Sequence, residues 1–423
     1  MKKYLVSMER GGVMLPVGTL CGESHLDAQF SYGEAYLSDP DAAPISLSLP
    51  LQEEPFSAAR TRIYFDGLLP EGFTRRSVAQ WMHLDETDYL SILYRLGREC
   101  LGAVQITAEE DTQEPAYEKI SNEQVRQLAA EGATKSTELV MKSHLSLTGA
   151  SGKVGLYYDA ASNEWYLPKG TAPSTHIVKQ SHVRLDGIVT NEQLCLLTAA
   201  RCGIEVPESF IINTGTGDED EVLFATRRYD RVIPEDTRRI SGLPCPMRLH
   251  QEDFAQAMGI PSARKYEAAE DHYLFGMFDL LRKHAADPIQ DQLKLWELLV
   301  FNCLIGNTDA HIKNYSLVYD PALRTVRLAP AYDIVSTTVY ETSTRDLSIR
   351  IGGAATIDEV NADAFRAAAK EIGLGGKIAL QRVGEMKERF LPALKESAEA
   401  LADTGFPKAM ELSDRILRNS GNI

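Results

Sequence analysis

Asp309 and Asn314 lie five positions apart in Gly306-Asn307-Thr308-Asp309-Ala310-His311-Ile312-Lys313-Asn314-Tyr315, directly after the apolar run Leu293 to Ile305. A carboxylate in such a loop can orient or deprotonate an attacking hydroxyl, and an amide a short turn later can offer a neutral oxygen to magnesium. A second carboxylate, Asp333, sits in Ala331-Tyr332-Asp333-Ile334 after two short strand-like stretches, Ser316 to Tyr319 and Val326 to Ala329, joined at Asp320-Pro321. Phosphoryl-transfer enzymes of kinase type place a metal-holding Asp there. Taken alone, the Asp and Asn spacing fits a capped turn equally well, because turn formers gather in loops for conformational reasons.

Other residues extend the pattern. Thr148-Gly149-Ala150-Ser151-Gly152-Lys153 opens a strand, and its glycines and small side chains let backbone amides approach phosphate oxygens as a nest. It lacks Walker A spacing and no helix follows it, so a plain turn is the competing reading. Lys179 ends an apolar strand, where kinases keep a lysine for the α- and β-phosphates and pair it with a helix glutamate. Glu192 is the candidate partner, although an acid in the first turn of a helix also complements the helix dipole. Arg227-Arg228-Tyr229, directly after another strand, reads as a hinge with Tyr229 against adenine or as ordinary aromatic packing.

The elements that must position these residues follow from pattern. Tyr4 to Met8 and Met14 to Leu20 flank Gly11-Gly12 as a hairpin, Leu47 to Pro50 ends an extended piece, and Arg75 to Trp81 and Tyr89 to Leu96 have helical spacing. Lys153 to Tyr158 and Glu164 to Leu167 form a second hairpin, and Thr175 to Lys179 is strand-like. Thr190 is placed to cap a helix that stops at Gly203, and Ser209 to Asn213 and Val222 to Thr226 are strands. After residue 250 the pattern is mostly helical. The expected segmentation is 1–107, an acidic linker 108–116, a β-rich lobe 117–245 and a helical lobe 246–423.

With 423 residues and 44% hydrophobic and 25% charged residues, the composition is that of a globular chain of two or three domains. Sixty acidic against 44 basic residues give a net charge of −16. The chain as a whole therefore repels a phosphate backbone, and direct nucleic-acid binding would need a local basic patch or a basic partner. Six scattered cysteines, with no C-x-x-C pair, speak against a zinc site or disulfide framework. Cys195 and Cys202 share a helix face as core residues. The basic start is cut short by charge and no stretch is long and apolar enough to span a bilayer, so a cytoplasmic location without membrane contact is expected.

The blocks Ser46-Leu47-Ser48-Leu49-Pro50-Leu51, Gly97 through Val104, Ser146-Leu147-Thr148-Gly149-Ala150, Pro168-Lys169-Gly170 through Lys179, Arg228-Tyr229-Asp230-Arg231, Gln251-Glu252-Asp253, Lys265-Tyr266-Glu267, Thr308 through Asn314 and Tyr332-Asp333-Ile334 occur in one order over nearly the full length. In this the chain resembles the HipA family of bacterial serine/threonine kinase toxins. The resemblance implies an α+β, bilobal protein-kinase-like fold with an extra N-terminal α+β subdomain and a mostly helical C-terminal lobe. It implies ATP and Mg2+ as cosubstrate and metal, Asp309 as catalytic base, and Asn314 and Asp333 as metal ligands. ATP contacts would come from Thr148 through Lys153, Lys179, Arg227 through Tyr229, His311, Ile312, Lys313 and Tyr332, with Glu192 in support.

Ser146 falls on the family's autophosphorylation serine, whose modification ejects the phosphate loop; Thr148 and Ser151 are neighbouring acceptors. A small basic DNA-binding antitoxin of HipB-like type is the implied partner. The implied substrate is a translation component, glutamyl-tRNA synthetase being the best-known one. Two departures stand out: Arg227 replaces an acid at the hinge, and Gly149 through Lys153 is smaller than the family's bulkier loop. A small-molecule or lipid kinase and a non-catalytic nucleotide-binding corepressor are the alternative readings.

Overall fold

In the computed structural model, Gly11 and Gly12 take left-handed backbone, with φ of 57° and 84°. They fold the strand Lys2–Arg10 back onto Val13–Gly22 in antiparallel register. The structure describes residues 2–108, 114–131, 133–143, 152–181, 185–218 and 220–419. Contacts divide the chain into two units, each drawn from separate stretches. Met1–Gln180, Ala225–Ser262 and Val318–Val326 form the first, and Ser181–Phe224, Ala263–Leu317 and Arg327–Ile423 the second.

The first unit holds a four-stranded antiparallel sheet and most of a six-stranded one, besides smaller sheets. One runs Gln29–Tyr32, Val13–Gly22, Lys2–Arg10, Val104–Thr107 in spatial order. Helices Ala58–Gly67, Gly72–Trp81 and Tyr89–Leu96 accompany it. Its aromatic core centres on Phe30, whose ring lies 4.8 Å from Tyr32 and 5.4 Å from Phe65. The other sheet places Glu164–Lys169 between Ala116–Lys119 and Lys153–Asp159, with His176–Gln180 next. Arg228 N donates to Thr175 O at 2.9 Å where the chain leaves this sheet after Ala225–Arg227.

Three sequence readings change here. Leu47 to Pro50 is a tight turn bridged between Ser46 and Leu49, because the buried Glu252 carboxylate accepts from Ser46 Oγ at 2.6 Å and Leu47 N at 3.0 Å. Tyr319 Oη donates to the same carboxylate at 2.6 Å. Burial pushes the Glu252 carboxyl up to about 7 against these donors. Helix Ala58–Gly67, started by Ser57 accepting from Arg60 N, went unread because its charges blur the apolar face. Helices Asn122–Glu131 and Ala133–Ser143 likewise fall in a stretch read as mainly strands.

Beneath the first unit's surface lie three guanidinium groups and three carboxylates. Arg228 meets Glu99 at 3.2 Å and Asp230 at 2.8 Å, and Arg231 meets Glu99 at 2.8 Å and Asp230 at 3.0 Å. Arg248 meets Glu99 at 2.7 Å and Glu9 at 3.2 Å. The carbonyls of Cys100, Gly102 and Thr171 accept further hydrogen bonds from the terminal nitrogens, while Arg231 Nε is buried without a partner among the described residues. Burial alone would raise the Glu99 carboxyl, but Arg231, Arg248 and Arg228 outweigh it and hold the group below its ordinary range.

The second unit is built on helix Pro288–Ile305. Asp287 caps it by accepting from Gln290 N at 3.1 Å, Pro288 occupies the first turn, and Gly306 ends it at φ 77°. Nearly every residue from Leu293 to Ile305 is buried. Trp296 packs on Phe365 and donates Nε1 to Ala379 O at 3.1 Å, and Phe301 packs on Phe390. Helices Tyr273–His284 and Gly376–Asp403 pack against it, Ala362–Glu371 reaches it through Phe365, and Lys408–Asn419 packs on Gly376–Asp403. Among the described residues, no helix is long and apolar enough to cross a membrane.

Removing one partner from a buried ion cluster leaves uncompensated charge, at a cost of about 3–5 kcal/mol. Glu99→Ala is therefore expected to lower the free energy of unfolding measured in urea by that order, and the midpoint with it, with Glu99→Gln losing less because it keeps the shape. An unchanged midpoint for Glu99→Ala would remove the cluster as a determinant of the fold.

Candidate active site

The loop after helix Pro288–Ile305 is fixed by hydrogen bonds from its first residue. Gly306 O accepts from Thr337 N at 3.0 Å and Thr338 N at 3.1 Å, and a Cβ at Gly306 would collide with the Thr338 side chain. Asn302, Asn307 and Tyr315 form a buried relay, Asn307 Nδ2 donating to Asn302 Oδ1 at 3.0 Å and Asn302 Nδ2 to Tyr315 Oη at 3.1 Å. Thr308 is held through its hydroxyl by Thr337 Oγ1 at 2.7 Å and through its carbonyl by Ser348 Oγ at 2.6 Å. The backbone is thus set before the chemistry-bearing residue is reached.

Asp309 N donates to Asn307 Oδ1 at 3.1 Å, and Asn314 Nδ2 donates to Asp309 O at 2.9 Å. The two residues paired by spacing are therefore paired in space. Asp309 itself is exposed, whereas His311, Ile312 and Lys313 between them are buried. Tyr266 Oη donates to Asp309 Oδ1 at 2.9 Å.

Asp333 takes left-handed backbone at φ 56°. Such conformations in non-glycine residues cluster at sites whose surroundings over-determine them. Its neighbours are anchored on both sides. Ala331 N donates to Glu205 O at 2.8 Å, and Tyr332 Oη bonds Ser316 Oγ at 2.6 Å and Lys313 O at 3.0 Å. Asn191 clamps Ser336, accepting from its N–H and donating to its carbonyl, both at 3.0 Å.

Helix Ile188–Arg201 starts after Gly187, whose φ is 73°. This corrects the cap: Thr190 is buried inside the helix, and Glu192 lies past the first turn, 5% exposed. A dipole-complementing role for Glu192 loses its basis.

In the first unit, Lys153 and Lys179 stand directly opposite on neighbouring antiparallel strands, each 9% exposed. Side chains at opposed positions share one face of the sheet, and like charges there repel. Gly152 lies where a Cβ would strike Gln180 and come within 3.1 Å of Ser136 Oγ. Ser146, Thr148, Gly149, Ala150 and Ser151 lie outside the described residues. Arg227 is exposed, and Tyr229 donates its hydroxyl to Gln251 Oε1. Arg228 departs from its expected role: its guanidinium is in the buried ion cluster, its N–H is bonded to Thr175 O and its carbonyl accepts from Arg231 N at 3.3 Å. Its side chain is therefore committed to the buried cluster.

Asn314 and Asp333 offer an amide oxygen and a carboxylate, the hard donors magnesium takes when phosphates complete its shell. The amide nitrogen of Asn314 is spent on Asp309 O, which leaves its oxygen for such a role. A donor set of one amide oxygen and one carboxylate suits a metal whose remaining positions are filled by phosphates and water. Sequence reading missed Tyr266, Asn191 and Thr308. The signal for Tyr266 was the block Lys265-Tyr266-Glu267, quoted without a role.

Comparison with known proteins fits this geometry. Residues 145–394 match the model of the HipA-like C-terminal domain, and residues 14–107 that of the HipA N-terminal domain. A Sinorhizobium fredii protein named "Putative kinase Y4mE" is 33% identical over 92% of this chain and 90% of its own length. The "Serine/threonine-protein kinase toxin HipA" of Shewanella oneidensis is 24% identical over 93% of this chain and 89% of its own. The structure of HipA from Shewanella oneidensis MR-1, solved with HipB and operator DNA, matches with a TM-score of 0.77 at 22% identity, covering 99% of this chain and 98% of that one. The α+β kinase-like fold expected from the sequence is the fold found, and the chain belongs to the HipA family.

Proposed function

We propose that this chain is a serine/threonine protein kinase of toxin type, which transfers the γ-phosphate of ATP to a protein hydroxyl. The observation that carries this reading is the closed loop in which Asn314 bonds the carbonyl of Asp309 and leaves the Asp309 carboxylate exposed. The acceptor oxygen forms a bond to the γ-phosphorus, the bond to ADP breaks, and the hydroxyl proton passes to the Asp309 carboxylate. Magnesium, when bound, neutralises charge developing on the phosphates. Asn314 and Asp333 hold it by oxygen. Lys153 and Lys179 supply two ammonium groups on opposed strand positions to a polyphosphate. Tyr229 and the Arg227 backbone line adenine, with Glu192 supporting Lys179 and His311, Ile312, Lys313 and Tyr332 backing the phosphates.

The substrate is a protein of the translation apparatus, and a HipB-like antitoxin restrains the kinase and lends it DNA. The net charge of −16 supports the indirect route to DNA. Incubating the chain with γ-labelled ATP and bacterial lysate tests the class directly. A labelled protein band is expected; a labelled metabolite or lipid, or no label at all, would replace this reading.

A positioned base contributes roughly 10²- to 10⁴-fold. Asp309→Ala is expected to lose turnover on that scale while fluorescent nucleotide still binds, and turnover near that of the parent chain would remove Asp309 from the mechanism. Asn314→Ala and Asp333→Asn should each weaken nucleotide binding in the presence of magnesium and leave it unchanged in its absence. Calorimetric titrations showing full magnesium dependence in both variants would place the metal elsewhere.

Ser146 is the proposed autophosphorylation site. A phosphate adds about −1.5 to −2 charges, which cannot share a nest with ATP, so modification should silence the enzyme. Mass spectrometry after ATP incubation, with Ser146→Ala as control, checks it. Loss of activity with Ser146 unmodified, or with the label on Thr148 or Ser151, would refute the assignment.

A further inference from the structure

The hydrogen bond from Tyr266 to Asp309 belongs to a built arrangement. Glu267 N donates to Ser348 O at 3.0 Å, and the Glu267 carboxylate accepts from Tyr273 N at 2.8 Å and Arg350 N at 2.6 Å. Ser348 in turn donates its N–H and hydroxyl to Thr308 O, at 3.1 and 2.6 Å. Tyr266 is therefore tied through one residue on its own side, and one on the other, to the peptide that precedes Asp309. The distance between the phenol and the carboxylate is set by this short closed circuit of backbone, not by a loose side chain.

The ring is placed as firmly as its backbone. Its edge-to-face partner is His311, 5.3 Å away at an interplanar angle of 80°, and the Lys265 ammonium lies 5.4 Å from the ring centre. Yet Tyr266 is 52% exposed and Asp309 is exposed too. An aspartate at the surface turns about two side-chain bonds, and a base that rotates freely spends little time aimed at its acceptor. A fixed donor on one carboxylate oxygen removes that freedom.

We propose that Tyr266 is a positioning residue for phosphoryl transfer. It holds Oδ1 of Asp309 so that Oδ2 faces the acceptor hydroxyl, without itself touching substrate. This inference rests on the reading of Asp309 as the base.

The test compares Y266F, Y266L and D309A in the full chain, using γ-labelled magnesium ATP with lysate protein as acceptor and a fluorescent nucleotide for binding. Phenylalanine keeps the ring against His311 and deletes only the hydroxyl. Y266F is expected to lower kcat roughly tenfold, with nucleotide affinity and the KM for ATP unchanged. Y266F equal to the parent chain overturns the inference, whether Y266L is impaired, so that the ring serves packing, or is not. A faster Y266F also overturns it, because the phenol would then be occupying the acceptor's place. Turnover of D309A near that of the parent chain overturns instead the reading on which the inference stands.

Discussion

A guanidinium taken out of water must meet carboxylates or carbonyls, and residues 9, 99, 228, 230, 231 and 248 meet that demand for three of them at once. The six residues come from distant parts of the chain, so the demand is satisfied only when the first strand, the turn after helix Tyr89–Leu96 and the segment following Val222–Arg227 have all arrived. That makes the cluster a registration device for the first unit. It fixes where Tyr229 begins, and Gly102 N donating to Asp230 at 2.7 Å ties the N-terminal sheet to the same point.

The second unit achieves precision by another route. Its loop Gly306–Asn314 is dense in hydroxyl and amide bonds, many of them buried. Each of the residues Gly306, Asn307, Thr308 and Asp309 has its backbone or side chain claimed by a neighbour, so the exposed Asp309 carboxylate sits on a frame with little room to relax. An exposed carboxylate standing on a buried, hydrogen-bonded frame is held in place by its supports.

The parts legible in the sequence were those with one dominant cause. The apolar run Leu293 to Ile305 before Gly306 marks the core of helix Pro288–Ile305, though not its Asp287-Pro288 start, and spacing marks the Asp309–Asn314 pairing. The hairpins around Gly11-Gly12 and residues 160–163 follow from turn residues and alternation. Parts decided by tertiary partners were not legible. Ser46–Leu49 turns because Glu252 reaches it. Arg228 is buried because Glu99 and Asp230 are there. Thr190 sits inside a helix because Gly187, in left-handed backbone, already supplies the start. Tyr266 meets Asp309 across 43 positions of sequence, a separation that no local pattern encodes.

The left-handed backbone at residue 333 restricts what the position can hold. Glycine, asparagine and aspartate visit that region at low cost, whereas most side chains pay about 1–2 kcal/mol. Of the three tolerated residues only aspartate brings a negative charge, and the codons for asparagine and glycine are each one base change from its own. A lineage of this chain that no longer needs the charge could therefore lose it without disturbing the fold around it. Replacement by Asn would keep both the fold and a neutral oxygen donor at this place, whereas Gly would keep the fold and remove the donor.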